Sequence, residues 1–437
     1  MSAGPEDGVA VGGPAVRDRA LSWVLWPLTL LSAANLALRS YTVDRPIGDF
    51  YILHDGAVRL VERGQVYLDQ FFLLTPSALF FVGPFGWLDQ RPAFLVWNTV
   101  ALLATLVGIA CATRFLGASL AGPVPAAMLL GLSLSESLSS TLLLGNLNNA
   151  LLLALGSGYL LAERQDRRVL AGVLLGLSLA VKPVLVLVLL LPLLRRQWRT
   201  LAWAVGVPAV LNLAGLALLR DPGDFFSVAL PNLLDARQAA NSSLWAVGTV
   251  LGVPEPVVSV LRVLVLGVAL AAVWRLRTHP DGVLRLGVGY GVLVLATFLG
   301  SSLSQGYYSM LVLPLLATAL RPGSPLRNPL AWVAVYLFFS QDTWDVPQLP
   351  RLTADYALAH WTIGWVLLFT VLVVWCLRGH RPSGDPGDQS SSWETAASRV
   401  SPAIDASQAA QPGRVRTASR ALRAAARSPR REAASAA

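Results

Sequence analysis

Between Leu21 and Leu377 the chain returns repeatedly to apolar runs close to the length of a membrane crossing, and the short segments between them carry arginine. About 20 apolar residues are needed to cross a bilayer as a helix. Inside the bilayer only helices and closed barrels satisfy every backbone polar group. Runs of this length are too long for barrel strands, so the sequence predicts an all-α polytopic membrane protein. Composition agrees: 54% of the 437 residues are hydrophobic and 14% charged, against about 25% charged for a soluble domain. The formal charge of +9 sits in short loops and the C-terminal segment, where it sets orientation and does not suggest nucleic-acid binding. Cys111 and Cys376 are the two cysteines. They give no disulfide framework, and neither has the neighbours of a metal site.

One apolar run decides the topology. Val169 to Leu194 spans 26 residues, interrupted only by Lys182, between the charged Glu163–Arg168 and Arg195–Arg199 segments. If both basic segments are cytoplasmic, the run must go out and return. Proline disfavours helical geometry in the residue before it, so Lys182-Pro183 is the expected apex of two short helices, each about 20 Å long. A single kinked span is the alternative, and it would put three arginine-rich loops outside. With the hairpin, every arginine cluster between spans falls on one side and about twelve helices cross, some short or re-entrant. Residues 1–20 are expected to be a disordered cytoplasmic N-terminus, 21–377 the transmembrane domain, and 378–437 a disordered basic cytoplasmic tail. The expected location is the plasma membrane.

Arg45 to Leu88 then becomes an extracytoplasmic loop bearing Asp49, His54, Asp55, Glu62 and Asp69, followed by an apolar segment too short to span. The less common polar residues gather on the same side: Asp49, His54, Asn146, Asn148, Lys182, Asn241, Gln305, Tyr307 and Tyr308. Polar groups in apolar surroundings are costly unless paired, so their collection in one layer suggests a wet cavity. Lys182 is the single lysine among 34 basic residues. A carboxylate, a lone ammonium and several amides suit sugar transfer from a lipid phosphate. The carboxylate takes a proton from an acceptor hydroxyl, and the ammonium stabilises the leaving phosphate. Bland alternatives stand beside these roles. Asparagine-rich turns also end helices, and Tyr307 and Tyr308 also suit an interfacial aromatic belt.

Asp49-Phe50 after the first span, Val66-Tyr67, Pro84-Phe85-Gly86-Trp87-Leu88, Gly145-Asn146-Leu147-Asn148, Ala180-Val181-Lys182-Pro183, Arg195–Arg199 and Asn241-Ser242-Ser243-Leu244 together resemble glycosyltransferase family 87. The resemblance runs in order from about Leu21 to Leu377. It implies a GT-C fold and an enzyme that uses a polyprenyl-phosphate sugar without a cofactor, by inverting single displacement. It places Asp49 at the catalytic acidic position. Lys182-Pro183 through Arg199, Asp221-Pro222 with Phe225-Phe226, Asn241-Ser242-Ser243 and Ser304–Met310 most resemble the family's arabinofuranose-transferring branch. That branch implies decaprenyl-phosphoryl arabinose as donor, an arabinan or lipoglycan acceptor, and α-(1→3) branches. Two positions depart from it: Gly48-Asp49 stands where paired acids are usual, and Leu74-Thr75-Pro76 replaces an aromatic-Pro-Pro. A polyprenyl-phosphomannose-dependent α-mannosyltransferase is the nearest alternative. A lipid or sugar transporter is the alternative of another class, and it would predict acids within spans and related halves.

Overall fold

The computed structural model describes residues 14–42, 48–69, 71–234, 241–341 and 350–378. Every regular element among them is helical. Helix α1 is Pro14–Thr42, so it opens before Leu21 and takes in residues that the sequence assigns to the N-terminal segment. The remainder of that segment, residues 1–13, and the tail from 379 onward lie outside the described residues. Helix α2 is Asp49–Arg63, α3 Gln90–Leu116, α4 Pro123–Ser133 and α5 Glu136–Leu143. Then follow α6 Leu147–Arg164, α7 Arg168–Val181, α8 Trp198–Ala217, α9 Glu255–Leu276 and α10 Gly282–Gly300. The last two are α11 Pro329–Phe339 and α12 Pro350–Leu377. The start of α12 falls within the expected outer loop Ser340–His360, of which residues 342–349 lie outside the described residues.

By length and composition, six helices among the described residues suffice to cross a membrane, or seven if α4 and α5, bent by 64°, form one span. The expectation of about twelve crossings is not supported by helix length. Hydropathy registers an apolar run whatever its conformation, but α7, Pro183–Leu194, Gly306–Leu320 and α11 each have only 10–17 residues. A helix of 14 residues rises about 21 Å, short of the roughly 30 Å hydrocarbon core. Gly306–Leu320 is held by packing inside the bundle, whereas α11 leaves Leu330, Trp332, Val333 and Tyr336 exposed. The central element is α10, with 89% of its apolar window buried, whereas α1 has 11% buried and faces outward along most of its length.

The run between the two basic segments turns back on itself. Lys182 ends α7 in extended geometry (φ −163°, ψ 129°), as the following proline requires, and Pro183 opens a 3₁₀ segment, Pro183–Leu189. The ends of the run meet at Glu163. Its carboxylate, 1% exposed, pairs with Arg195 and accepts from Gln197 Nε2 at 2.9 Å. Thr200 closes the base by donating to the Arg168 carbonyl at 3.1 Å. Helix α8 then runs back along α7. A Cβ at Gly172 would come within 2.5 Å of the Thr200 oxygen, and one at Gly176 within 2.9 Å of the Trp203 oxygen. Small residues four apart let the two backbones approach, the usual packing device in lipid.

Candidate active site

Asp49 is the first residue of helix α2. Helix α2 buries Phe50, Leu53, His54 and Ala57, and its less buried positions mix charged Asp55, Arg59 and Glu62 with exposed Tyr51 and Val61. A turn between α5 and α6 fixes where α2 begins. Phe50 N–H donates to the Leu144 carbonyl at 3.0 Å, and Trp97 Nε1 donates to the Gly145 carbonyl at 2.9 Å. Gly145 has φ +65°, and a Cβ there would lie 2.4 Å from Phe50 Cβ. Only glycine meets both demands. The next residue, Asn146, is thereby set against Asp49.

Three side chains from distant parts of the chain close a triangle. Asn146 Nδ2 donates to Asp49 Oδ2 at 2.5 Å and lies 2.8 Å from the Tyr307 hydroxyl. Tyr307 donates its own proton to the same Asp49 oxygen at 2.8 Å. Burial first, and then the adjacent Asp49 carboxylate, hold the Tyr307 phenol well above its ordinary value of 10.0, so it remains a donor. Both bonds reach Oδ2. Among the described residues no group donates to Oδ1, which leaves that oxygen able to accept a proton from a substrate hydroxyl.

A cavity of about 290 Å³ opens at this triangle, with Asp49, Asn146, Asn148, Lys182, Gln305 and Tyr307 as its polar lining. Ile52, Leu53, Phe71, Leu73, Leu74 and Leu303 form the apolar remainder. Lys182 is half-buried and makes no side-chain hydrogen bond or ion pair with a described residue; its Nζ lies 4.9 Å from the centre of the Tyr308 ring.

Three residues expected to touch substrate, His54, Asn241 and Tyr308, lie outside the cavity lining. His54 Nε2 is 2.9 Å from the Leu88 carbonyl, its ring stacks on Phe50, and it ties α2 to the apolar segment beneath. Asn241 spends its amide on backbone. Nδ2 donates to the Ser302 carbonyl at 2.8 Å, and Oδ1 accepts from Ser243 N and Ser304 N, both at 3.0 Å. It thus joins the segment that opens at Asn241 to the residues that lead into Gln305. Tyr308 is 1% exposed and stands behind Lys182, outside the cavity lining.

The sequence profile of glycosyltransferase family 87 matches residues 72–302, a little over half of the chain. Full-length relatives agree. The alpha-(1->3)-arabinofuranosyltransferase of Mycobacterium tuberculosis is 32% identical over 363 residues, covering 80% of this chain and 84% of that protein. That of Mycolicibacterium smegmatis is 33% identical over 369 residues, with 81% and 84% covered. That of Corynebacterium glutamicum is 30% identical over 381 residues, with 83% and 90% covered. The chain belongs to glycosyltransferase family 87.

As a family 87 glycosyltransferase the chain needs room for a sugar, and the apolar half of the cavity is where inspection of polar residues alone falls short. Phe71, Leu73 and Leu74 are carried by the segment between Asp69 and Pro76. Thr75 and Ser77 fasten that segment to the end of α7, where Ser77 Oγ donates to the Ala180 carbonyl at 2.7 Å. The usable signal was the sudden apolar run in an otherwise polar loop. Among the described residues, no group of three or more His, Cys, Asp or Glu side chains is arranged to hold a metal ion. A larger groove of about 1350 Å³ between α1, α4 and α11 is lined by such residues as Trp26, Met128, Leu132 and Trp332. It lacks the amides and the lysine of the smaller cavity, and its charged residues, Asp18 and Arg19, belong to the first turns of α1.

Proposed function

We propose that this glycosyltransferase moves an arabinofuranosyl group from a polyprenyl-phosphate donor to an arabinan chain, forming α-(1→3) branches on the extracytoplasmic face of the plasma membrane. The names of the three relatives support the sugar and the linkage. Arginine placement supports the sidedness. The observation that carries the chemistry is the presence of Asp49 and Lys182 on the walls of one small cavity.

The acceptor hydroxyl enters beside Asp49, which takes its proton as the oxygen attacks the anomeric carbon. The bond from that carbon to the phosphate oxygen breaks, and the phosphate leaves with the electron pair, so the anomeric configuration inverts in one displacement. Asn146 and Tyr307 hold the carboxylate through Oδ2, which fixes its angle of approach. Lys182 meets the charge that grows on the departing phosphate. Gln305 and Asn148 are placed to hold sugar hydroxyls, and the leucine and phenylalanine wall receives the first isoprene units.

Purified protein incubated with labelled decaprenyl-phosphoryl arabinofuranose and a synthetic arabinan acceptor should give a product with new α-(1→3) linkages. Transfer from polyprenyl-phosphomannose and none from the arabinose donor would reject the sugar assignment while leaving the site intact.

A further inference from the structure

Asp49 and Lys182 line the same cavity, yet none of the ion pairs among the described residues joins them. Opposite charges on the walls of a half-enclosed cavity attract strongly. An ion pair between them would occupy the base and the phosphate-binding group at once. Something must hold the ammonium elsewhere. Among the described residues it meets an aromatic face: Nζ stands 4.9 Å from the centre of the Tyr308 ring.

We propose that Tyr308 is a positioning residue, whose ring seats the Lys182 ammonium apart from Asp49 with its N–H donors free for a phosphate. The proposal rests on the reading of Lys182 given above. A ring face attracts a cation through its quadrupole and uses none of the three N–H donors in a directed bond, whereas a carboxylate would claim at least one. The seat is rigid. The Tyr308 ring is 1% exposed and lies 5.9 Å from the Phe298 ring and 5.2 Å from that of Tyr307, centre to centre. The lysine backbone is fixed as well, by the extended pre-proline geometry and by its N–H donating to the Ser178 carbonyl at 3.1 Å. With backbone and ring both fixed, the ring face is a defined place for the flexible stem to set its charge. Tyr307 and Tyr308 are adjacent on the 3₁₀ segment Gly306–Val312, so one dipeptide holds the base through its first hydroxyl and the cation through its second ring.

The single lysine makes the test direct. Reductive methylation with isotope-labelled methyl groups marks Lys182 and the chain's own amino terminus, which NMR separates. In wild type and Tyr308→Phe, the Lys182 methyl resonance should be displaced by the ring. In Tyr308→Leu it should return to the position of a solvated lysine. Affinity for decaprenyl phosphate, measured on unmodified protein in nanodiscs, should fall about tenfold in Tyr308→Leu and little in Tyr308→Phe. A trifluorinated phenylalanine at position 308 keeps the shape and weakens the face, and should give an intermediate loss even if the leucine variant folds poorly. A wild-type resonance with no ring displacement overturns the seat. A fluorinated variant that binds decaprenyl phosphate like Tyr308→Phe overturns the positioning role. If Lys182→Ala also binds it normally, the fault lies in assigning the phosphate to Lys182.

Discussion

Asn146 and Tyr307 stand 161 residues apart in the chain and 2.8 Å apart in the fold, and both donate to one oxygen of Asp49. A carboxylate gripped through one oxygen keeps the other for chemistry, and its orientation no longer depends on solvent.

Asp49→Asn keeps the size of the side chain and removes the proton acceptor. General-base catalysis commonly contributes about 10²–10⁴-fold, so transfer should fall by that order while expression and donor binding persist. Turnover at the wild-type rate in this variant would transfer the role to another group.

Tyr307→Phe retains the ring packing and deletes one donor to Asp49. Losing a hydrogen bond to a charged group should lower kcat by about 10-fold or more, with less effect on donor affinity. The raised phenol value also has a stability consequence. Its contribution is full below pH 10.0 and is lost as pH rises through the folded value. The alkaline unfolding curves of wild type and Tyr307→Phe should therefore separate above pH 10.0, with the wild type losing more.

Gly145→Ala places a methyl group 2.4 Å from Phe50 Cβ at a residue with φ +65°. The strain should cost about 2 kcal/mol or more and push Asn146 off Asp49. Thermal unfolding and turnover, measured together, should both decline; an unchanged melting temperature would contradict the described turn.

Glu163→Ala leaves Arg195 and Gln197 without the carboxylate that joins the two ends of the hairpin. Breaking a buried pair is worth about 3 kcal/mol at the lower end of the usual range, appropriate because Arg195 is 28% exposed. Denaturation in detergent should show that loss, and Glu163→Gln should recover part of it.

Lys182→Cys, in a background lacking Cys111 and Cys376, should react with an impermeant thiol reagent added from outside the cell. Labelling confined to the cytoplasmic side would reverse the proposed orientation of the cavity.

The bundle's chemical class was legible because lipid leaves few options for a chain this apolar. Lys182 stood out for the same reason: an ammonium in an apolar run is expensive, so its position is constrained. His54 and Asn241 carried the same outward signal and lie against backbone groups, including the carbonyls of Leu88 and Ser302, 34 and 61 residues away. Nothing local in a sequence tells a histidine that ties two segments from one that binds a sugar. Tyr308 differs from Tyr307 by one position, yet a 3₁₀ turn sends one hydroxyl to Asp49 and puts the other ring behind Lys182. Among the described residues six or seven helices reach crossing length where about twelve crossings were expected, because hydropathy measures how apolar a run is, whereas this count also requires unbroken helical length.

The hairpin acts as a ruler. Helix α7 has 14 residues and, standing upright, rises about 21 Å from Arg168 to the lysine at its tip. In the proposed orientation, with Arg168 at the cytoplasmic headgroups, a hydrocarbon core of roughly 30 Å leaves Lys182 well below the opposite headgroup plane. A lipid phosphate must sink toward it, or the bilayer must dimple to bring the phosphate down. The enzyme should therefore respond to membrane thickness, working faster in short-chain bilayers than in long-chain ones of the same headgroup.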